Sequence, residues 1–333
     1  MGSLSDVRWM DAALALASRG QRVTAPNPNV GCVIVRPACA QAGEHVVGRG
    51  WTQPCGRPHA EAMALDEAGA AARGATAYVT LEPCAHESPR GPACTDLLIA
   101  AGIARAVVAM RDPDPRTDGK GIARLREAGI EVATGTGEDE ARRTIAGFLT
   151  RRFKGRPYVT LKLATSLDGC IALANGESRW ITGPEARAHT HLERARHAAI
   201  LVGRGTLERD APKLDVRLPG LEDRSPRRVL LSARTADGWH MISQPSAIAT
   251  LVGVDHLLIE GGAMTAATFL RADLVDRLLL YRAPVLLGGK PGIADLGLTE
   301  LGGAHGRWQL TDTRMLGSDR LEVYERARKR DSD

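Results

Sequence analysis

The sequence predicts two layered α/β domains joined in one chain, and three observations carry that prediction. Short apolar runs rich in Val, Ile and Leu alternate with helical stretches along the whole length, and Gly and Pro flank most of those runs. The alternation restarts after a charged segment near residue 150. The 333 residues suffice for about two domains of ~150 residues each.

Taken in order, "MGSLSDVRWMDAALALASRG" reads as an amphipathic helix. Its Asp6 and Asp11 and its lack of a basic start argue against a signal peptide. Strands are expected at 31–35 ("GCVIV") and 45–50 ("HVVGRG"), and an alanine-rich helix at 59–72. The strands "ATAYVTL" (75–81), "RAVVAM" (105–110) and "IEVATG" (130–135) follow, separated by helices near 94–101 and 119–128. A charged helix over 138–152 leads to a domain boundary near 150–156. Beyond it the expected strands are 158–164, 198–203, 227–232, 256–260 and 275–288, with helices at 184–197 and 262–272. The polar end "ERARKRDSD" is expected to fray.

Composition narrows the function classes. No apolar run approaches the ~18 residues that span a bilayer, so no membrane partner is expected and the cytoplasm is the expected location. Six scattered cysteines are sparse for a disulfide framework and suit a reducing compartment. A net charge of +5 suits a phosphorylated small molecule, and twelve aromatics without a basic-aromatic ladder give no ground for a nucleic-acid partner.

The stretch "GRPHAEAMALDEAGAAARGATAYVTLEPCAHESPRGPAC" holds the densest chemistry. His59 follows Pro58 at a helix start, where side chains lean toward the helix N-terminus, so His59 and Glu61 can approach one point. Cys84 sits where a strand runs out into a loop, and Cys94 begins the next helix. Helix N-termini stabilise thiolates. One His and two Cys make three zinc ligands and leave a fourth position for water, as a catalytic site requires. Glu61 is then the proton shuttle, the arrangement of zinc deaminases. Those have Cys-x-x-Cys, whereas nine residues separate Cys84 from Cys94 here, so this loop enters the site.

The motifs "NPNVGCVIV", "PHAE", "LEPCAH", "GPAC", "MRDPDPRTDGKGI", "LKLATSLDG", "ESRWITG", "ILVGRGT" and "IEGGA" together resemble the bifunctional riboflavin-biosynthesis deaminase/reductase family over nearly the whole chain. The resemblance implies a cytidine-deaminase-like three-layer α/β domain, the zinc-dependent pyrimidine deaminase, over 1–150. A dihydrofolate-reductase-like α/β domain, the NADPH-dependent reductase, follows over 156–328. The implied cofactors are Zn2+ and NADPH, and the implied assembly is a homo-oligomer, dimer or tetramer. The implied reaction begins with hydrolytic deamination of a diaminopyrimidinone that carries a ribosylamino 5′-phosphate. Reduction of the ribosyl group to a ribityl chain follows.

Asn27, His86, Arg90, Asp112 and Asp114 fall where the family holds the deaminase substrate, although "NPN" and "DPDP" are also ordinary turn formers. In the second half, two glycine-bearing strand exits, "VGRGT" and "IEGGA", would let backbone approach phosphate, but neither is a dinucleotide fingerprint. The resemblance puts Ala164, Trp180, Thr206, Asp210, Gly262, Ala263, Met264 and Thr265 on the cofactor. It puts Ser178, Arg194, Leu214, Arg217 and Glu260 on the reductase substrate, with Lys162 facing the same cleft by strand alternation. Arg194 and Arg217 would clamp the phosphate.

The sequence also departs from the family. The loop between Cys84 and Cys94 is one residue longer than the commoner form, Thr52 stands where a His is usual, and Cys170 stands where a basic residue is common. The segment 232–260 is much shorter than usual, at a place that ordinarily supplies strand and helix near the adenosine end of the cofactor. Two other readings therefore stay open: a deaminase fused to a silent reductase-like module, and a zinc deaminase of tRNA or another nucleobase.

Overall fold

The computed structural model describes residues 3–39, 42–86 and 90–327. The chain divides into two compact units, Met1–Leu149 and Thr150–Asp333.

The first unit runs α1 (Leu4–Ala17), β1 (Gly31–Arg36), β2 (His45–Trp51), α2 (Ala60–Ala68), β3 (Thr76–Val79), α3 (Cys94–Ala100), β4 (Arg105–Val108), α4 (Lys120–Glu127), β5 (Glu131–Thr134) and α5 (Glu138–Thr144). Its five strands lie in the order β2-β1-β3-β4-β5, with β1 antiparallel to both neighbours and β3, β4 and β5 parallel. Alternation along β1 puts two helices on opposite faces. A Cβ on Gly31 would meet the Ala13 carbonyl of α1 at 1.9 Å. On the other face Gly50 pairs with Cys32, and Gly48 and Gly50 would each place a Cβ 2.0 Å from a carbonyl of α2, those of Ala64 and Ala60. The alanine face of α2 thus rests directly on strand backbone, which only glycine allows. This fixes the height of the His59 and Glu61 end above the sheet. Valines, alanines and isoleucines from both faces form one core with Met10, Leu98 and Leu125.

The charged helix expected over 138–152 is two helices, α5 and α6 (Ala146–Lys154), broken at Ile145, which is buried in this core.

The second unit contains β6 (Tyr158–Thr165), β7 (Cys170–Ala172), α7 (Pro184–Arg196), β8 (Ala199–Gly203), α8 (Arg204–Asp210), β9 (Arg227–Leu231), β10 (His240–Ile242), β11 (His256–Ile259), α9 (Ala263–Arg271), β12 (Arg277–Arg282), β13 (Lys290–Pro291), β14 (Trp308–Leu316) and β15 (Asp319–Arg326). Eight strands form the sheet β10-β9-β8-β11-β6-β12-β15-β14, parallel from β10 to β12 and antiparallel beyond. One face packs Val159, Leu161, Leu201, Leu257 and Ile259 with Phe269 of α9. The other presents Lys162, and Ala186 of α7 packs there against Leu279 and Tyr281.

Three expectations change. The strand expected over 275–288 ends at Arg282; Pro284 has no N–H to donate, and the Asp168 carboxylate takes the N–H groups of Leu287 and Gly288 instead, at 3.1 and 2.7 Å. The hairpin β14–β15 has no counterpart in the sequence-based reading. Of the end expected to fray, Glu325 pairs with Arg277 and Arg326 with Trp308, while residues 328–333 lie outside the described residues.

Candidate active sites

In the first unit the N-terminus of α2 and that of α3 converge on one point. His59 is the N-cap of α2, and its Nδ1 lies 3.3 Å from Cys94 Sγ and 3.7 Å from Cys84 Sγ. The three ligand atoms all lie within 4.8 Å of one another. The Cys94 backbone N–H donates to Cys84 Sγ at 3.3 Å, and the Thr95 hydroxyl and N–H both donate to the Cys84 carbonyl, lashing the strand exit to α3. The Cys94 thiol, His59 and that backbone N–H hold the Cys84 thiol down to about 4 against burial, while Cys94 is pushed up by the same pairing. One nitrogen and two sulfurs, one of them already favoured as thiolate, make a donor set that fits zinc.

Glu61 is 3% exposed beside this cluster. Burial raises its carboxyl pKa, opposed by His59, so it can carry a proton that a surface carboxyl would release. Asn27 Nδ2 lies 3.2 Å from His59 Nε2, and Arg90 Nη2 donates to Asn27 Oδ1 at 3.3 Å, so Asn27 and Arg90 stand at the ligand's outer edge. His86 Nδ1 lies 3.5 Å from Thr117 Oγ1. Burial pushes the Asp112 carboxyl up to about 6, and the negative charges of Asp114, Glu82 and Cys84 add to that rise. Asp114 is buried and closes a turn, its carboxylate 2.6 Å from Arg116 Nη2. Thr52 accepts the Val30 N–H at 3.0 Å, a link between β1 and β2.

The second unit carries a cleft of about 1090 Å3, above the ~300–1,000 Å3 of common single-ligand pockets. Lys162 and Ala164 of β6 line it, as do Ser178 and Trp180 before α7, and Thr206 and Asp210 of α8. So do Arg194, Arg217, Glu260 and the α9 start, Gly262 to Thr265. Leu214 is not among the lining residues. It is 5% exposed, has a φ of 57°, and packs with Val202 and Leu230 in the core.

Arg194 is not free for a phosphate in the way its charge suggests. Its Nε and Nη2 donate to the two Glu260 oxygens at 2.7 and 2.8 Å, and Nη1 donates to the Asp215 carbonyl at 3.1 Å. Glu260 follows Ile259, which pairs with Leu161, so Glu260 and Lys162 are neighbours across β11 and β6. Burial pushes Glu260 up, but Arg194 and Lys162 outweigh it and the carboxyl stays low. Burial also lowers the Lys162 ammonium, partly offset by Glu260. Arg217 differs, with a side chain 62% exposed.

The first turn of α9 has no side-chain cap, and Arg179, Arg204 and Arg209 also line the cleft. A helix N-terminus among cations fits the pyrophosphate of a dinucleotide. Sequence reasoning did not single out these arginines, nor Arg187, which stacks 4.9 Å over Trp180.

Fold and sites define a two-domain enzyme class, a zinc deaminase followed by a reductase. Residues 4–110 match the family model for the cytidine and deoxycytidylate deaminase zinc-binding region. Residues 157–252 and 246–321 match that for the RibD C-terminal domain. The riboflavin biosynthesis protein RibD of Escherichia coli strain K12 is 40% identical across 95% of this chain and 98% of its own. That of Haemophilus influenzae is 38% identical across 97% and 98%. Acinetobacter baumannii RibD superposes with a TM-score of 0.81 at 37% identity, covering 97% of this chain and 99% of its own. The Thermotoga maritima diaminohydroxyphosphoribosylaminopyrimidine deaminase/5-amino-6-(5-phosphoribosylamino)uracil reductase does so at 0.83 and 30%, with the same coverage. The chain belongs to the RibD family of bifunctional riboflavin-biosynthesis enzymes, with a zinc-binding deaminase domain and an NADPH-dependent reductase domain. No helix among the described residues is long and apolar enough to cross a membrane.

Proposed function

We propose that residues 1–150 form the pyrimidine deaminase domain and 156–328 the reductase domain. The first deaminates 2,5-diamino-6-ribosylamino-4(3H)-pyrimidinone 5′-phosphate, and the second reduces its ribosyl group to a ribityl chain. The observation that carries this is the convergence of His59, Cys84 and Cys94 beside buried Glu61 in a chain whose other unit holds a cation-lined cleft. Zinc held by the three ligands supplies Lewis acidity for hydrolysis. Glu61 takes a proton from the attacking water and returns it to the departing amine. Asn27, His86, Arg90 and Asp112 hold the substrate, and Asp114 shapes the loop that carries Asp112.

NADPH supplies the reducing equivalents in the second unit, held at Ala164, Trp180, Thr206, Asp210 and the start of α9. Ser178, Lys162 and Glu260 face the ribose end, and Arg217 takes the phosphate. Arg194 serves by holding Glu260, and Leu214 by shaping the segment before Arg217. The cation-lined cleft speaks against a silent module. The enzyme works in the cytoplasm as a homo-oligomer. A coupled assay tests the reading, with the diaminopyrimidinone phosphate supplied with and without NADPH. Ammonia should appear in both, and NADPH oxidation only after deamination. Ammonia without any NADPH oxidation would favour the silent module.

A further inference from the structure

One buried carboxylate of the first unit has no part in the chemistry above. Glu82 is 3% exposed and lies two residues before Cys84. Its N–H donates to the Met110 carbonyl at 2.9 Å, continuing the β3–β4 pairing past the ends of both strands. Its side chain supplies what α4 lacks. The N-cap of α4 is Gly119, which has no side chain to offer the orphan N–H groups of the first turn. The Glu82 carboxylate accepts the Gly119 N–H at 2.9 Å through Oε2 and the Ile122 N–H at 3.0 Å through Oε1. It is a negative charge at the positive end of a helix, brought from another element. The same Oε2 accepts the Asp112 N–H at 3.1 Å. Sterics tighten the joint, since a Cβ on Gly121 would lie 2.1 Å from the Pro83 carbonyl. The first turn of α4 therefore rests on the residue between Glu82 and Cys84.

We propose that Glu82 is a positioning residue for the deaminase. Its carboxylate ties the strand exit that carries Cys84 to the loop 111–119, and so sets where Asp112 and Thr117 stand relative to Cys84. Thr117 meets His86 on the far side of the loop, so both ends of this substrate wall are referred to residues next to Cys84. A carboxylate that only stabilised the fold would change unfolding and leave substrate recognition alone. The proposal rests on the deaminase reading.

The test is steady-state deamination by the full zinc-loaded chain carrying Glu82→Gln. The amide keeps the size but has one acceptor, so its NH2 must face at least one backbone N–H. KM for the pyrimidine phosphate should rise about tenfold or more, the loss of one hydrogen bond to a charged group, with kcat falling by less. Zinc content and NADPH oxidation with pre-deaminated substrate should match wild type. Combined with Asp112→Asn, the two KM effects should be non-additive, because one acts through the other. An unchanged KM, or additive effects, overturns the proposal while an active wild type leaves the deaminase reading standing. A wild type that releases no ammonia overturns both. If Glu82→Gln loses zinc, Gly121→Ala decides, since it keeps the carboxylate and displaces α4 from the Pro83 carbonyl. A KM rise with full zinc supports the proposal. Zinc loss there too, or an unchanged KM, overturns it.

Discussion

Arg194 and Arg217 carry the same charge and line the same cleft, but their surroundings give them different work. The Arg194 side chain is 12% exposed and paired with a Glu260 side chain 10% exposed, whereas Arg217 reaches into solvent. Arg217→Ala should raise the reductase KM with kcat near wild type, the pattern of lost uniform binding. A dephosphorylated substrate should then show little difference between the two proteins. Arg194→Ala leaves a buried carboxylate without its partner, a change that costs about 3–5 kcal/mol in comparable pairs, so it should lower kcat and thermal stability together. Steady-state kinetics and melting curves separate the two. If both variants affect KM alone, Arg194 is a phosphate ligand after all. The convergence of His59, Cys84 and Cys94 was legible in the sequence because each lies at a helix start or strand exit that local signals mark. The Arg194–Glu260 pair was not, since 66 residues separate its members. Glu82 was in plain view inside "LEPCAH", but its partners arrive from a loop about thirty residues on.

At the level of elements, one side chain ties α1 to β3 and β4. Asp6 closes a capping box with Ser3, accepts the Tyr78 hydroxyl at 3.1 Å, and accepts two Arg105 donors. The Arg105 hydrogen bond, against burial, lowers its pKa from 3.8 to about 2. The folded value lies below the unfolded one. The stabilisation is therefore complete well above pH 3.8 and disappears as the pH falls through about 2. Asp6→Asn should cost the first unit about 2 kcal/mol at neutral pH, with the gap to wild type closing in acid. Urea midpoints read from hydrogen exchange of α1 and β4 peptides at pH 7 and pH 3 check this. A gap of equal size at both would assign the loss to shape rather than charge.

Before the central strand β11, the short 232–260 segment keeps only an edge strand, β10, and one 3-10 turn at Pro245–Thr250. Arg204 beside it spends donors on the Ser232 hydroxyl and the Thr235 carbonyl. NADPH should bind weakly, and NADH should compete better than the family would suggest; ~1.4 kcal/mol of lost contact is tenfold in Kd. Calorimetry with both dinucleotides answers it, and tight NADPH with rejected NADH would refute the expectation. The β14–β15 hairpin escaped the sequence reading because β14, at the sheet edge, is exposed along most of its length and lacks the apolar alternation that marks half-buried strands.

Across the whole molecule, two compact units serve two chemistries. Glu61→Gln should keep zinc, because Glu61 is not a ligand, and lose deamination by about 10²–10⁴-fold, the usual scale of a proton shuttle. NADPH oxidation with pre-deaminated substrate should survive. Parallel loss of both activities would contradict separate sites. The two-domain α/β organisation was legible because strand and helix signals alternate and then restart. The short strands of the second unit were not, since β10 at the edge of its large sheet is three residues long and the separate pair β7–β13 is no longer, both made by pairing rather than by propensity.

The seat of α2 on β2 has a consequence for how this enzyme can drift or be engineered. Gly50 has no side chain to offer a substrate or a metal, but a methyl group there pushes on Ala60, the residue between His59 and Glu61. A map of tolerated substitutions should therefore show Gly50 as unforgiving as the zinc ligands themselves. Gly43, with nothing within 4 Å of its added Cβ, should accept alanine freely. The catalytic sequence of this domain thus extends, in terms of what selection can alter, onto a strand that supplies none of the residues proposed for the reaction.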